Sequence, residues 1–136
     1  MKHIELFAGI GGFRKAMDCI QRDFGFPFEC LAFSEIDKNA SKTYKANYNV
    51  CEEIEMGDIV EFNSDMSRYA NLDFDLLTGG FPCQAFSMMG KQKGFEDDRG
   101  TMFFQIEKIL KLKRPRYVVL ENVKNLISHN KGNTFK

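Results

Sequence analysis

The 136-residue chain has no tryptophan, three prolines and no net charge, and each scarcity narrows its class. No apolar run approaches the roughly 20 residues that a membrane-spanning helix needs. The opening Met1-Lys2-His3-Ile4-Glu5 holds no signal-peptide core, so export is not expected. The four cysteines, Cys19, Cys30, Cys51 and Cys83, form no C-x-x-C pair, and His3 and His129 stand far from them in sequence. Neither a zinc site nor a disulfide framework is expected from that spacing. Three of the four cysteines are expected to be small buried hydrophobes. A net charge of zero leaves no overall field to announce a polyanionic partner.

What is present suits one folded domain. Hydrophobic residues at 43% beside charged residues at 28% argue against disorder. A chain of this size buries roughly two thirds of its unfolded surface. The charge is uneven. Residues 105–136 carry eight Lys and Arg against Glu107 and Glu121, a balance of +6 that leaves −6 on the remainder. That basic end reads as phosphate-facing or as plain solvated surface.

Strand and helix patterns alternate. Strands are predicted at 3–7, 28–34, 52–56, 73–78 and 116–121. A helix is predicted over 13–24, where Phe13, Ala16, Met17, Ile20 and Phe24 share one face. Others are predicted at 37–47 behind an Asp37 N-cap, weakly at 64–69, and at 101–113, where Met102, Phe103, Ile106, Ile109 and Leu110 recur before Pro115. A last helix is expected from about Val123. Residues 81–100, with Gly90, Gly94 and Gly100, read as a long polar loop of the kind that is usually functional. The alternation predicts an α/β fold, a doubly wound and mostly parallel sheet with ligands at the carboxyl ends of its strands. The unusual residues gather at those ends: Gly9, Gly11 and Gly12, then Glu35, Asp58, Pro82-Cys83 and Glu121.

Phe7-Ala8-Gly9-Ile10-Gly11-Gly12 leads from a strand into a helix, so its glycines admit a ligand close to free backbone N–H groups. Arg14 stands where the third glycine of a dinucleotide fingerprint would fall, which favours a nucleoside-type ligand over a pyrophosphate. Glu35 suits a ribose diol or is a solvated acid; Ile36 suits an adenine face; Asp58 suits an exocyclic amine or caps a turn. Cys83 follows a buried strand, where a thiol is both placed and accessible, and a thiolate is a strong nucleophile. Glu121, one strand over, brings a carboxyl able to act as an acid.

On these residues the sequence resembles the bacterial cytosine-5 DNA methyltransferases of restriction–modification type. The matching segments are Glu5 to Arg14, Ser34-Glu35-Ile36-Asp37, Gly57-Asp58-Ile59, Gly79 to Ser87 around Pro82-Cys83-Gln84, Arg99 to Phe104, and Leu120-Glu121-Asn122-Val123-Lys124-Asn125-Leu126. They run in the family's order; Glu5 stands where the family often has Asp, and Met102 where Leu is common. The resemblance implies a Rossmann-like S-adenosylmethionine-dependent methyltransferase fold with five strands present, cut before its last strands. It implies that 1–136 is a partial catalytic domain without a target-recognition domain.

The resemblance also implies S-adenosylmethionine as cofactor, leaving as S-adenosylhomocysteine. Phe7, Ala8, Gly9, Ile10, Gly11 and Gly12 would hold its methionine end, Glu35 its ribose and Ile36 its adenine face. Asp58 and Ile59 would position the adenine, with Pro82 and Met102 as further contacts. Cys83 would attack C6 of a flipped cytosine while Glu121 contacts N3 and the amino group. Gln84, Ser87, Arg99, Asn122 and Val123 would face the base or the DNA. The implied partners are double-stranded DNA and a second chain or C-terminal half that supplies the missing strands, with no membrane and no metal. The implied location is the bacterial cytoplasm, on the nucleoid.

Two competing readings remain: a non-catalytic module that binds cofactor or a partner chain, and a transfer-RNA methyltransferase of the same superfamily. A nicotinamide oxidoreductase is disfavoured by Arg14 and by Pro82-Cys83-Gln84. The continuously apolar Tyr117-Val118-Val119-Leu120 carries the pattern of a strand buried on both faces, with its outer edge left open here.

Overall fold

The computed structural model describes residues 1–82 and 101–123. Five parallel strands form one sheet: β1 (Lys2–Leu6), β2 (Glu29–Phe33), β3 (Ile54–Glu55), β4 (Leu76–Gly80) and β5 (Tyr117–Glu121). Their order is β3-β2-β1-β4-β5. The chain winds outward from β1 to β3 and then crosses back to β4, on the other side of β1. The carboxyl ends of β1 and β4 therefore flank a topological switch point, where open parallel sheets bind ligands.

Helices α1 (Gly12–Phe24) and α2 (Lys38–Asn47) belong to the first winding, and α3 (Ile59–Phe62) and α4 (Thr101–Lys113) to the second. β1 shows how the two faces differ. Ile4 and Leu6 enter the main apolar core with Ala32, Leu77, Ile106 and Ile109. The alternate residues, His3 and Glu5, are equally buried but face the side of α2, where Glu5 meets Tyr44. One face of the sheet is thus hydrocarbon and the other partly polar.

Local chemistry sets the element ends. Asp37 caps α2 by accepting the N–H groups of Asn39 and Ala40. Gly25 closes α1 at φ +68°, in the left-handed region. The weak helix expected at 64–69 is replaced by α3 and a 3-10 turn at Met66–Tyr69, because Asp58 and Asp65 each cap their own start. Asn63, Tyr69 and Gln105 join this segment to α4 through buried hydrogen bonds.

β4 begins at Leu76, later than the expected Asp73, and runs through Gly79 and Gly80 instead of stopping before them. Those glycines stay in the ladder, opposite Leu6, Leu120 and Glu121. The apolar face of α1 is only partly covered, and two other expectations, on the cysteines and on β5, are corrected. Of the apolar stripe on α1, Met17 is buried but Ile20 and Phe24 are exposed. Cys51 is exposed, and Cys19 and Cys30 are only half-buried, so none of the described cysteines is a fully buried hydrophobe. Tyr117, Val118 and Val119 are 42%, 41% and 46% exposed, so β5 is not buried on both faces. Among the described residues it pairs with β4 alone and lies at the sheet's edge.

Candidate functional site

The rim at the carboxyl ends of β1, β2 and β3 is built around backbone held in unusual conformations. Phe7, Gly9 and Gly11 all have positive φ, at +54°, +57° and +94°. For Phe7 that is a strained position, of the kind that clusters at ligand sites. The turn folds on itself through the Gly11 N–H, which donates to the Ala8 carbonyl at 2.9 Å. The Ala8 N–H donates to the carbonyl of Ser34. Ser34 in turn donates its N–H to Glu5 and its hydroxyl to the Gly57 carbonyl, so one residue knits three strand ends together.

Glu35 is the second tie. Its Oε2 accepts the Gly9 N–H at 2.7 Å and its Oε1 accepts the Asp37 N–H at 2.8 Å. Each oxygen keeps a further lone pair for a ligand hydroxyl. Glu35, Ile36, Gly57 and Asp58 line a cavity of about 260 Å³ whose other wall is Lys38, Ser41, Lys45 and Glu55. Ser41 and Lys45 both bond Glu55 there, which holds that wall in place. Ile10 and Ile36 are 64% and 71% exposed at the rim, apolar surface that a flat ring system would cover. Asp58 spends Oδ1 on the Val60 N–H, so the capping role is real.

Several predicted contacts sit deeper. Ile59 and Ala8 are buried, and the Ile59 side chain belongs to the apolar core, because it opens α3 facing the sheet. Any ligand contact from these two is made by their backbone. Met102 is half-buried and packs against the same core.

On the other side of the switch point, β4 delivers buried Phe81 and exposed Pro82 to the rim. Glu121 is paired with Gly80, and a Cβ at Gly80 would lie 3.2 Å from its Oε2. Asn122 donates its side-chain N–H to the Phe81 carbonyl at 2.9 Å and accepts the Val123 N–H at 2.8 Å. Asn122 therefore ties the exit of β5 to the segment that leads into Cys83, a role its sequence position did not reveal. Val123 is exposed. Cys83, Gln84, Ser87 and Arg99 lie outside the described residues, as does the helix expected beyond Val123.

Sequence reasoning also missed the polar layer under the turn. The Tyr44 hydroxyl donates to Glu5 Oε2 at 3.2 Å, and Glu5 Oε1 is buried without a hydrogen-bond partner among the described residues. Burial pushes the Glu5 carboxyl up to about 7, against the Tyr44 hydrogen bond and the nearby N–H groups of Arg14 and Phe13. Burial pushes the His3 imidazole down to about 4, helped by the charge of Arg14, and His3 shares a 2.8 Å hydrogen bond with Thr78. Arg14 is paired with Glu53 at 2.7 Å. The sequence signal for this layer was the i, i+4 pair Tyr44 and Tyr48, at the end of a helix of otherwise small and polar residues and just beyond it.

Among the described residues no group of three or more His, Cys, Asp and Glu is placed to hold a metal ion, and no helix is long and apolar enough to cross a membrane. A parallel sheet of order β3-β2-β1-β4-β5, with a glycine turn, a carboxylate and a cavity at the carboxyl ends of its strands, defines a doubly wound α/β protein with its candidate site at the switch point. More closely, the chain belongs to the C-5 cytosine-specific DNA methylase family, whose model matches residues 1–136.

It is 48% identical over 136 residues to the type II methyltransferase M.HgiCI of Herpetosiphon aurantiacus, covering 100% of this chain and 30% of that protein. It is 46% identical over 136 residues to M.HhaI of Haemophilus parahaemolyticus, covering 100% of this chain and 38% of that one. The fold matches a crystal structure described as a DNA modification methyltransferase encoded within an E. coli prophage, with a TM-score of 0.68 at 24% identity over 98% of this chain and 34% of that one. The chain thus spans about a third of the length of these relatives.

Proposed function

We propose that this chain is the cofactor-binding and catalytic portion of a DNA cytosine-5 methyltransferase that uses S-adenosylmethionine. The observation that carries the reading is the Glu35–Gly9 tie: the carboxylate that lines the cavity also holds the glycine turn beside it, which suits a ligand reaching from one to the other. The fit is chemical as well as spatial: ribose hydroxyls meet a carboxylate, an adenine ring meets Ile36, and a polar tail meets open backbone. When bound, the cofactor supplies an electrophilic methyl group.

The rest is the work of the chain and of the DNA base. The Cys83 thiolate adds to C6 of a cytosine turned out of the duplex, because C6 is unreachable within the stack. Glu121 meets N3 and the amino group and steadies the charge as C5 becomes nucleophilic. Once C5 carries the methyl group, solvent takes the C5 proton, and the freed electron pair forms the C5–C6 double bond as the C6–S bond breaks and the Cys83 thiolate leaves. Gln84, Ser87 and Arg99 face the DNA in this reading, and Asn122 acts by positioning the Cys83 segment. The place of action is wherever the DNA lies, the cytoplasm of a bacterial cell. A C-terminal part, in the same chain or another, supplies the remaining strands and target recognition.

The test is single-turnover methyl transfer to a cytosine-containing duplex, with and without the C-terminal part of a relative such as M.HhaI. Transfer only in its presence is expected. Cofactor binding with no transfer under either condition would favour the non-catalytic module. Transfer to a transfer RNA in preference to duplex DNA would favour the RNA enzyme.

A further inference from the structure

We propose that α2 clamps the glycine turn from three sides, so that Tyr44 and Tyr48 are positioning residues for the cofactor although neither lies at the rim. This assignment rests on the reading of the turn as the cofactor's binding loop.

The first side is the start of the helix. Asp37, the cap of α2, donates its N–H to Glu35, whose other oxygen accepts the Gly9 N–H. The second is beneath the turn. Tyr44, stacked on Phe33 with ring centroids 4.3 Å apart, donates to the buried carboxylate of Glu5, one residue before the strand passes into Leu6 and Phe7. The third is the end of the helix. Tyr48, just past α2, donates its hydroxyl to the Gly11 carbonyl at 2.9 Å. Its ring fills the space that a Cβ at Gly11 would occupy, so any side chain at Gly11 would displace the tyrosine.

The clamp is itself held. Arg14 lies over the Tyr48 ring, 5.4 Å from its centroid, while its guanidinium pairs with buried Glu53. Tyr44 and Tyr48 also touch each other, at a centroid distance of 4.9 Å. Of the three positive-φ residues in this turn, Gly9 and Gly11 adopt that conformation freely, and Phe7 alone is strained by it. Three anchors, one on α2 and one at each of its caps, keep the turn in its binding shape before any ligand arrives, and such preorganisation shows up as affinity.

The test compares wild type, Tyr44→Phe and Tyr48→Phe, substitutions that keep both rings and delete one hydroxyl each. S-adenosylhomocysteine binding is measured by calorimetry below the melting temperature of each protein, and amide hydrogen exchange is followed at Gly9, Gly11, Ile4 and Leu6. The clamp predicts roughly tenfold weaker binding for Tyr48→Phe. It also predicts faster exchange at Gly9 and Gly11 with Ile4 and Leu6 unchanged, because a merely structural role would loosen the β1 amides as well. If the wild type binds and both variants bind equally well with unaltered turn exchange, the clamp is overturned. If the wild type itself does not bind, the cofactor reading fails instead, and the assignment with it. Should Tyr44→Phe fail to fold, the half-buried Tyr48 arm decides alone.

Discussion

Glu35 accepts the N–H of Gly9 at 2.7 Å across 26 residues of sequence, joining the tip of β2 to the turn after β1. The bond places the Glu35 carboxyl group where three strand ends converge, on the wall of the cavity. Removing it should cost both ligand and loop. Glu35→Ala should weaken S-adenosylhomocysteine binding by about tenfold or more and lower stability by about 1–2 kcal/mol, the cost of losing charge-assisted hydrogen bonds to backbone. Glu35→Gln should do little better, since its amide group must set an N–H donor against one of two N–H donors. Calorimetric titration decides, and equal heats for wild type and Glu35→Ala would remove Glu35 from the site.

The stability of the fold should depend on pH in a way that two neighbours conceal from each other. The pKa of Glu5 lies near 7 in the folded chain, above an ordinary value of 4.5, so the fold prefers the protonated acid. Its contribution is full below about 4.5 and is lost as pH rises through about 7. His3 is the reverse: its value near 4 lies below an ordinary 6.5, so the fold prefers the neutral ring. Its contribution is full above 6.5 and is lost as pH falls through about 4.

Each effect amounts to about 3 kcal/mol at its limit, and between pH 4.5 and 6.5 they oppose. Denaturant unfolding of the wild type should therefore be nearly level across that window. Glu5→Gln should make stability rise with pH there, and His3→Gln should make it fall. Slopes that match the wild type in both variants would mean that neither group titrates abnormally.

How far the sequence carried the reading depends on what kind of information each feature needs. The parallel α/β fold follows from periodicity and from glycines at strand ends, which are local, and the strands and major helices fall close to where the pattern puts them. Asp37 as a cap is equally local. Glu35 could be placed at a strand tip, but its grip on Gly9 could not be seen, because two residues far apart in sequence meet only through the order of the strands. The Glu5–Tyr44 pair was hidden for a similar reason: a glutamate in an apolar strand looks like a solvent-facing residue until both faces of the sheet are known to be covered. β5 reads as fully buried because a pattern reports which residues seek cover, and not whether that cover is at hand.

The cysteines should separate sharply by reactivity. Burial pushes the Cys30 thiol up to about 12, which leaves almost no thiolate at neutral pH, while Cys51 is exposed. Alkylation followed by peptide mapping should modify Cys51 well before Cys30. In an enzyme that contains this segment, Cys83→Ser should abolish methyl transfer, since a hydroxyl without a strong base is a far poorer nucleophile. Alanine at Cys19, Cys30 or Cys51 should act only through stability. A duplex carrying 5-fluorocytosine, whose fluorine blocks the final loss from C5, should trap an adduct on Cys83. An adduct mapped to any other cysteine would overturn that assignment.

The last prediction concerns β5. Tyr117, Val118 and Val119 are each more than 40% exposed, and among the described residues the strand bonds only to β4. An edge that is apolar and carries no charge within the run Tyr117-Val118-Val119-Leu120 is a template for another strand. The flanking Arg116 and Glu121 do not interrupt it. This chain by itself should therefore associate in a concentration-dependent way, which sedimentation velocity would register as a rising mean size. Val119→Lys places a charge in the middle of that edge, where a second strand would have to bury it, and should shift the distribution toward monomer. This chain covers 30% and 38% of two relatives, whose unmatched parts are longer than the chain itself and ample for the strand that would occupy the edge. Supplying such a C-terminal part should then suppress self-association just as Val119→Lys does, because both outcomes depend on the same row of backbone groups. A wild-type chain that stays monomeric at high micromolar concentration would show the edge to be protected, and the strand-completion argument would fall with it.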